Sequence, residues 1–201
     1  KTMFLRMQGT TASVVLGKPT ETQINKINKL DLVTGIGYEI SVGNVESHSL
    51  TKNRTKIIIK NSSIDNFEKQ TKPAISNIKG KYPTEENEVM ASRKALEFLG
   101  KSDAKIGDKI KVSTQIEGRA VNKEFILSGI YTTYDIVQDT GYLLVSEKFI
   151  NGNGLSLEKD GKLLITLKES RKDAAPEILK KEVTLIGQQE FSFNYDITDN
   201  L

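Results

Sequence analysis

The chain alternates between short β-type runs and stretches of helical period. Thr11-Ala12-Ser13-Val14-Val15-Leu16 is β-branched and partly alternating, which predicts a strand ending at Gly17. Pro19-Thr20 then opens a helix. Thr20 and Gln23 have the spacing of a capping box, in which each side chain satisfies an orphan amide of the first turn. Ile24, Ile27 and Leu30 give that helix a narrow apolar stripe. A second strand is predicted from Gly37 to Val45, with Tyr38, Ile40 and Val42 on one face. The far end repeats this strand–helix–strand pattern. Asp160-Gly161 marks a turn, and Leu163-Leu164-Ile165-Thr166-Leu167 a strand. Ser170 or Asp173 is placed to cap a helix that tolerates Pro176 in its first turn, with Ile178, Leu179 and Val183 inward. Phe191, Phe193 and Tyr195 then alternate with Ser192, Asn194 and Asp196, a half-buried strand.

Between these ends the pattern changes. Lys56-Ile57-Ile58-Ile59-Lys60 predicts a strand, and the polar stretch from Asn61 to Ile78 a short helix around Asp65–Thr71. Glu88-Val89-Met90-Ala91 leads to Ser92, an N-cap, and a helix Arg93–Leu99 with Ala95, Leu96 and Leu99 inward. Gly100 closes it where positive φ costs least. Ile106–Val112 is predicted as a turn then a strand, Phe125–Tyr131 and Tyr142–Val145 as strands, and Ser146 caps a short helix reaching Phe149 and Ile150. The expected fold class is therefore α+β. Two strand–helix–strand units make the βαβ–βαβ set of a ferredoxin-like sheet, and a mostly β subdomain with one main helix is inserted between them. The expected division is a discontinuous domain of residues 1–52 plus 155–201 and an inserted one of residues 53–154.

Composition narrows the function classes. Apolar residues make up 37 % of 201 residues, with 7 Phe, 6 Tyr and no Trp, a lean core that two compact units can share. The 29 basic and 26 acidic residues are interspersed, and no Lys/Arg stripe of the kind phosphate binding needs stands out, so nucleic acid is not an expected partner. There is no cysteine, which excludes disulfides, thiol chemistry and Cys-ligated zinc but not an extracytoplasmic location. The longest apolar run is Tyr142-Leu143-Leu144-Val145, where a membrane span needs about 20 residues. The first residue is Lys1 and no signal peptide is evident, so the chain reads as an excised piece.

Residue types that carry chemistry occur here without the spacing that chemistry needs. The single histidine, His48, lies among Glu46, Ser47 and Ser49 with no nucleophile elbow, which fits an exposed hinge better than a triad base. Ser76 to Lys79 and Ser102 to Lys105 match Ser-x-x-Lys, a common tetrapeptide in a chain rich in both residues, and its companion elements are missing. Gly35-Ile36-Gly37 is followed by Ile40 where a dinucleotide fingerprint needs glycine, and there is no Walker A sequence. Glu85, Glu86 and Glu88, with Asp103 and Asp108 further on, lack the EF-hand spacing, and a solvated acidic loop is the better account. No catalytic residue, cofactor-binding residue or metal ligand is therefore expected, and no cofactor. Tyr131, Tyr134 and Tyr142 bracket an Asp/Thr/Gln loop. Tyrosines anchor interfaces but are also ordinary strand residues, and this loop is the expected partner-contact surface.

One stretch is more specific. Gly80-Lys81-Tyr82-Pro83-Thr84-Glu85-Glu86-Asn87-Glu88-Val89-Met90-Ala91-Ser92 runs into the helix ending at Gly100. Ile106-Gly107-Asp108-Lys109-Ile110, Phe125-Ile126-Leu127-Ser128-Gly129-Ile130-Tyr131 and Val145-Ser146-Glu147-Lys148-Phe149 follow in order. This succession resembles the extracytoplasmic domain of ABC-transporter permeases of the MacB/FtsX type. The resemblance covers roughly Thr11 to Ile197 and is strongest from Gly80 to Phe149. Its residues form turns, caps and strand entries, so it speaks to architecture, and no catalytic residue is carried over.

The resemblance implies a porter-like part built from both chain ends with a second subdomain inserted. It also implies flanking membrane helices, with Met3-Phe4-Leu5-Arg6-Met7 descending from the first and Leu201 leading to the second. The implied partners are a separate cytoplasmic ABC ATPase, a second permease copy, and an unknown substrate, peptide-like or lipophilic, or an extracytoplasmic protein. The implied location is the outer side of a bacterial cell membrane. Two other readings stay open: a free-standing exported binding module, and a regulatory domain that activates a cell-wall hydrolase.

Overall fold

The computed structural model describes residues 12–134 and 139–197. Thr11, the Met3–Met7 stretch, Leu201 and the loop residues 135–138 lie outside the described residues. Strand β1 is Val14–Gly17, followed by helix α1, Glu21–Asn28. The capping box is present in full: Gln23 N donates to Thr20 Oγ1 (3.1 Å) and Thr20 N to Gln23 Oε1 (3.0 Å). Strand β2, Val33–Asn44, is longer than its apolar pattern indicates, because its glycine-rich start pairs with a distant strand. Strand β3 is Lys56–Ser62. A short helical segment follows, α-helical over Ile64–Asn66 and π-helical over Phe67–Thr71, leading to strand β4, Ile75–Gly80.

Strand β5, Glu88–Ser92, delivers Ser92 as the cap of α2, Arg93–Phe98, where Ala95 N donates to Ser92 Oγ at 3.2 Å. Gly100 sits at φ 72°, as a terminating glycine should. Strands β6, Lys109–Ile116, and β7, Arg119–Thr133, form a hairpin through Glu117-Gly118. Strand β8, Thr140–Val145, precedes α3, Glu147–Gly152, capped by Ser146. Asp160, expected in a turn with Gly161, ends a single helical turn, Leu157–Asp160, before β9, Gly161–Leu167. The last helix, α4, is Ala175–Glu182, and β10 is Phe191–Phe193.

One expected cap is corrected. Neither Ser170 nor Asp173 caps α4: Ala174 occupies the position and no side chain bonds the first turn. Ser170 belongs to a separate 3-10 turn, Glu169–Arg171. Pro176 in the first turn carries no N–H, so the helix has one orphan donor fewer to satisfy.

All ten strands among the described residues join one mixed sheet. Its order is β10-β1-β9-β2-β3-β8-β5-β7-β4, with β6 paired to β7. The pairs among β10, β1, β9 and β2 are antiparallel, whereas β3 with β8 and β5 with β7 are parallel. β2 binds β9 along its first part and β3 along its second, so it carries the sheet from one end of the molecule to the other.

Side chains collect in three cores. Val14, Leu16, Ile165 and Leu167 pack with Ile27 of α1 and Leu179 of α4. Ile57, Ile59, Leu143 and Phe125 pack with Leu96 of α2 and Phe149 of α3. Phe67, Ile75, Met90, Tyr131 and Leu144 form a smaller cluster. Alternation along β5, β7 and β8 puts Met90, Tyr131 and Leu144 on the sheet face opposite Val89, Ile130 and Leu143. The helices leave part of that second face uncovered.

Candidate functional site

The uncovered face carries a groove of about 470 Å³ across five adjacent strands, from β1 to β8. Register puts its lining residues in rows. Val15 lies opposite Leu164, Lys162 opposite Glu39, Ser41 opposite Lys60, and Ile58 opposite Tyr142. Because successive side chains on a strand point to opposite faces, Glu39 and Ser41 face the groove while Tyr38 and Ile40 face the core.

Glu39 is the electrostatic centre. Lys60 Nζ lies 3.3 Å from Glu39 Oε2, and Lys162 Nζ lies 3.5 Å from Glu39 Oε1. Burial alone pushes the Glu39 carboxyl up. The two ammonium groups outweigh it and hold the group below the usual carboxylate value. Lys60 also sits 4.7 Å above the Tyr142 ring, a cation–π distance. The result is a Lys–Glu–Lys row, half-buried at Glu39 and Lys60 and exposed at Lys162, beside the apolar side chains of Val15, Ile58 and Leu164. Asp160 lines one end, with its carboxylate accepting a hydrogen bond from Ser156 N at 3.0 Å. Such a surface can hold a ligand with both apolar and charged parts. It presents no nucleophile paired to a base.

A polar junction adjoins the site. Tyr38 OH donates to Glu147 Oε1 at 3.1 Å, tying β2 to the first turn of α3. Burial, then the Glu147 carboxylate, pushes the Tyr38 hydroxyl up to about 12. Tyr82 OH donates to Ser62 O and accepts from Ser62 N, and burial raises its pKa as well. Asn66, packed over Gly37, donates through Nδ2 to Ser62 Oγ.

Of the three tyrosines expected at a contact surface, Tyr131 and Tyr142 meet at one cluster and Tyr134 follows the end of β7. Tyr131 is 3 % exposed and packs with Phe67, Met90 and Leu144. Tyr142 is half-buried and lines the groove. Tyr134 is 43 % exposed at the end of β7. His48 is exposed in the 3-10 turn Ser47–Ser49. The glutamate cluster is spent on local pairs: Glu85 with Lys148, Glu86 with Lys123, and Glu88 accepting from Thr84 and from Glu85 N. Among the described residues no three His, Cys, Asp or Glu side chains converge to hold a metal ion. No described helix is long and apolar enough to cross a membrane. Sequence reasoning missed Glu39, Lys60 and Lys162. The available signal was a charged residue on the polar face of β2, but its partners come from strands that only the folded sheet brings alongside.

No family model matches the chain, and no curated relative matches it either. Solved structures do. The extracellular domain of the noncanonic ABC-type transporter YknZ from Gram-positive bacteria aligns with a TM-score of 0.55 at 11 % identity, over 85 % of this chain and 94 % of that one. The periplasmic region of MacB from Actinobacillus actinomycetemcomitans aligns with a TM-score of 0.50 at 9 % identity, over 96 % and 94 % of the two chains. The chain thus has the mixed α+β fold of these extracytoplasmic transporter domains.

Proposed function

We propose that this chain is the extracytoplasmic domain of an ABC-transporter permease and is not itself an enzyme. The observation that carries the reading is the fold shared over 94 % of the YknZ domain. A cytoplasmic ATPase subunit supplies the energy. Membrane helices of the permease pass its motion to this domain, which works with a second permease copy on a substrate or an extracytoplasmic protein. We read β10-β1-β9-β2 with α1 and α4 as a ferredoxin-like, porter-like part (residues 1–52 plus 155–201), and residues 53–154 as the inserted subdomain. The strand order supports the first half, and the separate cores on the helical face support the division. Asn194 N donates to Ser13 O at 2.8 Å, so the chain enters β1 and leaves β10 at one corner of the sheet. A domain suspended between two membrane helices needs that placement. On this reading the groove around Glu39, with Tyr142 in its lining and Tyr134 at the end of β7, is the contact surface.

The test is made on the full-length gene product. Each flank of the domain should encode about 20 consecutive apolar residues, and affinity purification from detergent-solubilised membranes should retain an ATPase with a Walker A motif. Flanks without such segments, or a purified protein carrying no ATPase, would sink the proposal.

A further inference from the structure

The chain contains two Asn-Gly dipeptides, and they are consecutive: Asn151-Gly152-Asn153-Gly154. Asparagine followed by glycine is the sequence most prone to loss of its side-chain amide. The backbone nitrogen of the glycine attacks the asparagine Cγ, ammonia leaves, and the resulting five-membered imide is opened by water. The product is aspartate, or isoaspartate with an extra methylene in the main chain. Glycine favours the reaction because no Cβ hinders the approach and its backbone moves freely.

The structure separates the two pairs. Asn151 and Gly152 belong to α3, whose helical backbone holds the glycine nitrogen away from the side chain. Asn153 and Gly154 lie past the helix and build its C-terminal cap. Gly154 takes the left-handed conformation at φ 70°. Leu155 N donates to Ile150 O at 3.2 Å, and Gly154 N reaches Asn151 O at 3.4 Å, the two bonds of a Schellman motif. Asn153 Nδ2 donates to Phe149 O at 2.8 Å, satisfying one of the last orphan carbonyls. The 3.4 Å bond is at the outer limit of hydrogen bonding, so the attacking nitrogen is the most weakly held group of the cap.

We propose that Asn153–Gly154 is a hydrolytic modification site and that its conversion unhooks the cap of α3. Either product is poorer in this position. Aspartate turns the donor to Phe149 O into a second acceptor and adds negative charge where the helix dipole is already negative. Isoaspartate lengthens the main chain inside a motif whose two bonds depend on residue count. The cap sits where the chain leaves one core, through Phe149, Ile150 and Leu155, and crosses to β9 in the other. Loss of the cap frees that crossing, so the pair acts as a slow, irreversible timer on the connection between the two cores.

The experiment is peptide mapping by mass spectrometry after incubating the folded protein at mildly alkaline pH, with the thermal midpoint of the separated modified fraction. Modification is expected at position 153 ahead of position 151. In urea it should run about tenfold faster than in the folded protein, the factor for a cap held closed by about 1.4 kcal/mol. The fraction modified at 153 should melt at a lower temperature, and N153Q, whose ring closure is slower, should remain intact. Modification confined to 151, modification at neither position, or a 153-modified fraction with an unchanged midpoint would each overturn the proposal.

Discussion

Gln23 and Gln189 hold each other by both halves of their amides. Gln23 Nε2 donates to Gln189 Oε1 at 2.7 Å, and Gln189 Nε2 donates back to Gln23 Oε1 at 3.0 Å. Gln23 also caps α1 and donates to Thr184 O, while Gln189 donates to Gly17 O and Lys18 O. The pair therefore ties the end of β1, the start of α1 and the loop before β10 into one knot. Gln23→Ala removes a capping interaction, the donor to Thr184 O and one of the two donors to Gln189 Oε1. A loss of about 2 kcal/mol in urea unfolding is expected. The double variant with Gln189→Ala should cost clearly less than the sum of the singles, since the two share one network. Strict additivity would show that the knot is not cooperative.

Gly141 marks a close approach of α2 to the sheet. A Cβ there would lie 2.6 Å from Ala95 Cα and 2.7 Å from Ala95 N, and the backbone of a capped helix cannot retreat without disturbing Leu96 and Phe98 below it. Gly141→Ala should destabilise the protein by about 1–3 kcal/mol, the usual cost of overpacking. A variant with an unchanged urea midpoint would mean that α2 moves freely on the sheet.

These two sites also show what was legible in the residues. The caps at Thr20, Ser92 and Ser146 are local chemistry, decided within four positions, and each is where its sequence places it. Strand β4 and the first half of β7 are polar, with no apolar run to betray them. β4 is a strand because the second half of β7 pairs with it, and the first half of β7 because β6 does. The groove was illegible for the same reason. Glu39, Lys60, Lys162 and Tyr142 come from four strands, and only the register of the sheet brings them together. The Asn66–Gly37 packing is likewise a long-range event.

The three tyrosines can be told apart by substitution. Tyr131→Ala empties a buried position beside Met90 and Leu144 and should cost about 3–5 kcal/mol. Tyr134→Ala, at an exposed site, should change stability by less than about 0.5 kcal/mol. If this surface contacts a partner, Tyr134→Ala should still weaken co-purification of that partner from solubilised membranes. Full retention by a well-folded Tyr134→Ala protein would remove Tyr134 from the contact surface.

Glu39 gives the groove a definite pH response. Its carboxyl is lowered in the folded protein by Lys60 and Lys162, so the ionised form is the one the fold favours. A group with a lowered folded pKa contributes stability that is complete above the unfolded value of about 4.3 and is lost as pH falls through the folded value. Glu39 is 15 % exposed and Lys60 21 %, whereas Lys162 is 48 % exposed, so the Lys60 bond dominates and the Lys162 contribution is screened by salt. Glu39→Gln keeps the shape and removes the charge, leaving two ammonium groups beside each other. At neutral pH it should be about 1–2 kcal/mol less stable than the parent in urea. The gap should narrow as pH falls below the unfolded value of about 4.3 and through the lowered folded one, where the parent protonates too. A gap that stays constant down to that range, or widens, would show that the carboxylate of Glu39 is not what holds the two lysines in place.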